Sequence, residues 1–115
     1  MRRDDDLLRL RHMLDAAEDA LRFAEGRVRA DLTQDRMLLL SLVKSIEIVG
    51  EAASRISPAT RGELPAVPWP DIIGMRNRLI HAYYDVDHDR VWETISDDLP
   101  SLIEQLREFL SASDG

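Results

Sequence analysis

Arg76, Asn77, Arg78, His81, Tyr83 and Tyr84 fall within nine consecutive positions. A histidine titrates near neutral pH and can take or give a proton. A guanidinium can hold a phosphate through paired donors and stabilise charge that gathers on it. A tyrosine can orient a substrate or carry a modification. Together these residues suit phosphodiester chemistry. They also suit a plainer arrangement, in which a neutral His81 is hydrogen-bonded in an interface and Arg76 anchors a buried ion pair. The residue types alone leave both open. The other histidines, His12 and His88, sit among ordinary surface charges. His81, Asp85, Asp87, His88 and Asp89 could form an acidic–imidazole cluster. Asp87 is needed as a helix cap and its neighbours read as solvent-facing, so no metal site is expected.

The element that must position these groups is a third helix, running from Pro70 to about Ala82. Pro70 suits a first helical turn, where its missing N–H costs nothing, and Trp69 before it is expected to staple against the helix. With Ile72 at zero and about 100° per residue, Arg76 lands at about 40°, inside the apolar arc of Ile73, Met75, Leu79, Ile80, Ala82 and Tyr83. Asn77, His81 and Tyr84 gather on the open side. A guanidinium on an apolar face needs compensation, and Glu51 is the first acid to consider. Arg76 and His81 stand about 140° apart on a straight helix. Their convergence calls for the arginine's length, a loosening helix end or a second subunit.

Three further helices complete the pattern. Residues 4–25 carry Leu7, Leu10, Leu14, Ala17, Leu21 and Ala24 at alternating spacings of three and four, with Gly26 as the stop. A second helix, capped by Asp31 or Thr33, runs to about Ile56 with Leu38, Leu42, Ile46, Val49, Ala53 and Ile56 inward. Its Gly50, Ala52 and Ala53 allow close approach of a neighbour, and Glu51 can pair with Arg55 one turn on. Residues 57–70 hold four of the five prolines and read as a loop. The last segment, capped by Asp87, keeps Val91, Ile95, Leu99, Leu102, Leu106 and Phe109 on one face. Pro100 points away from that face, so a helix bent there is expected, or two nearly collinear ones with Asp97 or Asp98 capping the second. Nothing reads as a strand. The expected fold is all-α, an antiparallel up-and-down four-helix bundle in one domain spanning residues 1–115.

Composition limits the function. The 115 residues carry a net charge of -7, which counts against a protein that coats nucleic acid through many phosphate contacts and suits docking on a basic partner. Of the 15 basic residues only Lys44 is a lysine. With no cysteine there is no disulfide or thiolate metal site, which fits a reducing cytoplasm. No signal peptide is legible at the N-terminus, and no stretch approaches the roughly 20 apolar residues that span a bilayer.

Arg76-Asn77-x-x-x-His81-x-Tyr83 resembles the Arg-x4-His-x-Tyr signature of HEPN-superfamily proteins in their HepT-like branch. Val49-Gly50-Glu51-Ala52 resembles that branch's Gly-Glu-Ala segment. Trp69 to Asn77 resembles the approach to the signature, and Tyr83 to Asp87 followed by Val91-Trp92 resembles the exit. The resemblance spans most of the chain. It implies the toxin of a two-gene toxin–antitoxin module: a homodimer whose motif helices meet in a composite ribonuclease cleft and cut RNA without metal or other cofactor. On that resemblance His81 assists attack by the ribose 2′-hydroxyl, Arg76 stabilises the phosphorane, and Asn77 and Glu51 support them. The partner it implies is an MntA-like nucleotidyltransferase antitoxin that adds AMP to Tyr83, with the adjacent Tyr84 as rival. The alternative is a non-catalytic HEPN module that binds nucleotide or a nucleotidyltransferase. A purely structural dimeric bundle ranks last, because it leaves Asn77, His81 and the tyrosines without a task.

Overall fold

The computed structural model of the protein describes residues 3–82 and 85–114, with only the backbone of Arg3, His81, Ala82 and Asp114. Its described residues are mostly helical. Helix α1 (Arg3–Ala24) starts with Asp4, Asp5 and Asp6 at the positive end of its dipole. It stops before Gly26, whose φ of 73° is the left-handed conformation that glycine tolerates. Its fully buried apolar residues are Leu10, Met13, Ala17 and Ala20. Leu7, Leu14, Leu21 and Ala24 are only half-buried at the flank of that face. The inward face is therefore turned from the expected leucine stripe, because α1 packs along both the second long helix and the last one.

A short α2 (Asp31–Gln34) precedes α3 (Arg36–Ser54). The cap of α3 is neither Asp31 nor Thr33 but Asp35, whose carboxylate accepts the Leu38 N–H at 3.1 Å. Asp31 instead accepts the N–H of Val28. The expected core residues of α3 are all buried, with Leu42, Ile46, Val49 and Ala53 inaccessible. Burying a Leu, Ile or Val side chain of this kind is worth about 1.5–3 kcal/mol.

Residues 57–70 are not wholly loop. Ser57 caps α4 (Pro58–Gly62), with Pro58 in the first turn. The Asp6 carboxylate, 1% exposed, accepts Ser57 N–H at 3.0 Å, Ser57 Oγ–H at 2.5 Å and Thr60 Oγ1–H at 2.6 Å. It ties the start of α1 to the start of α4. Trp69 is buried, and its indole N–H donates to the Leu64 and Arg61 carbonyls.

The third helix of the expected order is broken. It consists of α5 (Trp69–Ile73) and α6 (Met75–Leu79), separated by Gly74. It ends at Leu79, not Ala82. Strand β1 (Ile80–Ala82) then pairs antiparallel with β2 (Asp85–Val86), with Ile80 opposite Val86 and an irregular register. This small hairpin corrects the expectation of no strand.

From Asp87, which caps α7 (His88–Glu93) through Arg90 N–H, the chain stays helical to Asp114. A π-helical turn (Thr94–Asp98) joins α7 to α8 (Leu99–Asp114). Pro100 explains it. A proline ring collides with the carbonyl four residues back and offers no N–H to it. The wider turn, in which Leu99 N–H bonds to Thr94, accommodates this with Pro100 exposed. No separate cap by Asp97 or Asp98 forms. No helix among the described residues is long and apolar enough to cross a membrane.

Candidate functional site

Helix α6 is short and amphipathic: Met75 and Leu79 are buried, while Arg76, Asn77 and Arg78 are exposed. It packs against α3 and α7, and it follows α5, which lies close on α3. On the α3 side, a Cβ on Gly50 would meet the Ile72 carbonyl at 3.2 Å and the Ile73 carbonyl at 3.4 Å. Only a glycine lets α5 lie this close without displacement. Across the Gly74 break, Arg78 reaches back to donate to the Asp71 carbonyl at 2.7 Å.

The break resets the helical projection, so Arg76 is not on the core side. Its side chain is half exposed, and Nε lies 3.3 Å from Oε1 of Glu47. Glu51, the acid first considered, pairs instead with Arg55 at 2.9 Å, as the one-turn spacing suggested. Arg76, Glu47 and Glu51 all line one groove of about 580 Å³ among α1, α3 and α6. Asn77 is exposed on α6 outside that groove.

His81 occupies the middle of β1, two residues beyond the end of α6. The 140° separation expected on a straight helix therefore does not apply. The helix end that could loosen the geometry is present between Arg76 and His81. Tyr83 and Tyr84 lie outside the described residues, between β1 and β2. Of the acidic–imidazole set, Asp87 caps α7. Asp89 pairs with Arg29 at 2.6 Å, and His88 Nδ1 lies 3.4 Å from Thr33 Oγ1.

A second cleft of about 380 Å³ opens on the other side of α6, against α7, the π turn and α8. It contains Arg78, Arg90 and Asp98. Burial raises the Asp98 carboxyl above its ordinary value. Asp97 and Glu93 push the same way, and Arg90 and Arg78 only partly oppose them.

A family model described as HepT-like, Ribonuclease HepT-like, matches residues 13–109. The chain belongs to the HepT-like ribonuclease family. It is 37% identical over 101 residues to "Putative RNase TTE0752" of Caldanaerobacter subterraneus subsp. tengcongensis, covering 88% of this chain and 90% of that one. It is 36% identical over 81 residues to "Probable ribonuclease HepT" of Thermococcus cleftensis, covering 68% and 74%. No solved structure matches the chain significantly.

For this HepT-like chain, reading the sequence alone missed Glu47 as the partner of Arg76. Its spacing from Glu51 put both acids on one polar face, and only the placement of α6 along α3 chooses between them. It also missed that Arg9, His12 and Lys44 share the groove with Arg76. The signal was faint: Lys44, Glu47, Ile48, Glu51 and Arg55 recur at helical spacing on one side of α3.

Proposed function

We propose that this HepT-like chain is the toxin of a type VII toxin–antitoxin pair, an endoribonuclease that cuts RNA without a metal. His81 takes the proton of a ribose 2′-hydroxyl as its oxygen attacks the adjacent phosphorus. The bond to the 5′-oxygen breaks and that oxygen takes a proton from water, leaving a 2′,3′-cyclic phosphate and a 5′-hydroxyl, while His81 returns its proton to solvent. Arg76 stabilises the charge on the pentacovalent phosphorus, and Asn77 positions one of the reacting groups. Glu51 supports the site from α3 while it remains paired with Arg55.

The observation that carries the reading is the place of Arg76. Its guanidinium is exposed at a groove and, among the described residues, is restrained by one long contact to a carboxylate, so a phosphate can take it over. The reading further takes the fold as an antiparallel four-helix bundle with a broken third helix. It takes the active unit as a homodimer, in which the α6–β1 segments of two copies form one cleft. Transfer of AMP to Tyr83, with Tyr84 as the rival acceptor, by an MntA-like nucleotidyltransferase neutralises it. The site of action is the cytoplasm.

The test is cleavage of single-stranded RNA in the presence of a chelator, with product ends analysed. Cleavage persists without divalent ions, and Arg76→Ala or His81→Ala lowers it by about 100- to 1000-fold in folded protein. Undiminished cleavage by both variants would sink the proposal. The net charge of -7 favours a second reading, a non-catalytic HEPN module that binds nucleotide or docks a nucleotidyltransferase. That reading expects intact RNA together with complex formation altered by the same substitutions.

A further inference from the structure

The groove that holds Arg76 is cationic in a chain that is not. Arg9 and His12 face it from α1, one turn apart, and Lys44 faces it from α3. Its arginines 55 and 76 are engaged by Glu51 and Glu47. Arg9 and Lys44 have no ion-pair partner among the described residues, although 22 acids outnumber 15 basic residues in the chain. Lys44 is exposed, and Arg9 is half-buried. The Nε of Arg9 is fully buried and donates no hydrogen bond. A buried donor without an acceptor is unfavourable. Ile48, 41% exposed, adds an apolar surface beside these charges.

From this juxtaposition we infer that Arg9 and Lys44, together with His12, form a backbone-phosphate subsite for single-stranded RNA. The strand crosses the α1–α3 junction before reaching Arg76. Adjacent phosphates of an extended strand match cations spread along a groove, whereas a lone nucleotide fills only one end of it. Ile48 offers a base or ribose an apolar rest without reading its identity, so the subsite gives affinity and register rather than sequence choice. The inference rests on the RNA-cleavage reading above, and it names residues that position substrate without touching the reacting atoms.

The probe is single-stranded RNA with every 2′-hydroxyl methylated, which keeps the phosphates and removes the nucleophile. Binding to the full chain is followed by fluorescence anisotropy across a salt series. Lys44→Glu and Arg9→Gln each weaken binding about 5-fold or more at low salt. Each also flattens the slope of log affinity against log salt by about 0.7. Arg9→Lys recovers most of the loss, and on cleavable RNA the defect appears in KM rather than kcat. Lys44 is on the solvent side of α3, so its variant stays folded even if Arg9→Gln does not. Unchanged affinity and slope in the Lys44 and Arg9 variants overturn the inference. So does loss of nucleotidyltransferase binding with RNA affinity intact. If wild-type protein binds the methylated strand through these residues but cuts no RNA, the subsite stands and the ribonuclease reading falls. If it cuts RNA and the variants bind like wild type, the ribonuclease reading stands and the subsite falls.

Discussion

Asp6 shows how one side chain can hold two elements together. Burial alone would raise its carboxyl, but the hydrogen bonds from Ser57 and Thr60 outweigh that and hold it below its ordinary value. The folded state therefore binds this proton less tightly than the unfolded chain does. The resulting stabilisation is complete above the unfolded carboxylate's value of about 3.9 and is lost as pH falls through the lower folded value. Asp6→Ala strands the Ser57 N–H and two hydroxyls, so it lowers stability by about 2–3 kcal/mol at pH 7. The difference from wild type narrows below pH 4. Urea unfolding of both proteins at pH 7 and at acid pH measures this, and a variant penalty independent of pH would refute it. The run Asp4-Asp5-Asp6 read only as a favourable charge at a helix start. Which of three acids turns inward depends on where α4 lies, which local spacing does not encode. The Arg76 pair was hidden for a similar reason. Two glutamates one turn apart on α3 are equivalent until α6 is placed against them.

At the level of elements, the path from α3 to the site runs through Gly50. An alanine there gains about 1 kcal/mol of helix preference, which offsets mild crowding against the Ile72 and Ile73 carbonyls. Gly50→Ala thus stays within about 1 kcal/mol of wild type. Gly50→Val aims two further carbons at backbone that cannot rotate away and loses about 2–3 kcal/mol. Because α5 must then shift, Gly50→Val also lowers RNA cleavage by more than its folded fraction predicts. Thermal melts paired with cleavage rates separate the two effects, and equal stability for Ala and Val would show that the contact yields freely. The value of small residues at 50, 52 and 53 was legible in the sequence, as were the inward face of α3 and most of that of α8, where Phe109 is only half-buried, because a long helix imposes one periodicity. The broken third helix was not. The apolar and polar residues from Pro70 to about Ala82 fit one helical projection, and a single non-terminal glycine does not announce a break. Helix α4 was legible in principle: Ser57-Pro58 is a cap followed by a first-turn proline. Proline density in the surrounding residues masked it. The phase of the last helix survived Pro100 because a π turn absorbs the clash locally, without a cap.

For the whole molecule, what remains is whether one copy holds a complete site. Arg76 is the second residue of α6 and His81 lies in β1, so the end of the helix falls between them. If the cleft is built from two copies, a two-fold axis gives two equivalent sites, each taking Arg76 from one subunit and His81 from the other. That arrangement has a signature that no single-copy site shares. Arg76→Ala and His81→Ala proteins are each inactive alone. When they are mixed and allowed to exchange subunits, about half of the dimers are mixed, and each mixed dimer regains one intact site of two. Cleavage then returns to about a quarter of the wild-type rate at equal total protein. If each subunit supplies both groups to its own site, every site in the mixture stays defective and no activity returns. Native mass spectrometry of the mixture, which resolves the mixed dimer from the two parent dimers by mass, confirms that dimers exchange. Silence from a mixture that does exchange assigns Arg76 and His81 to the same copy, and with them the whole of the chemistry to one groove.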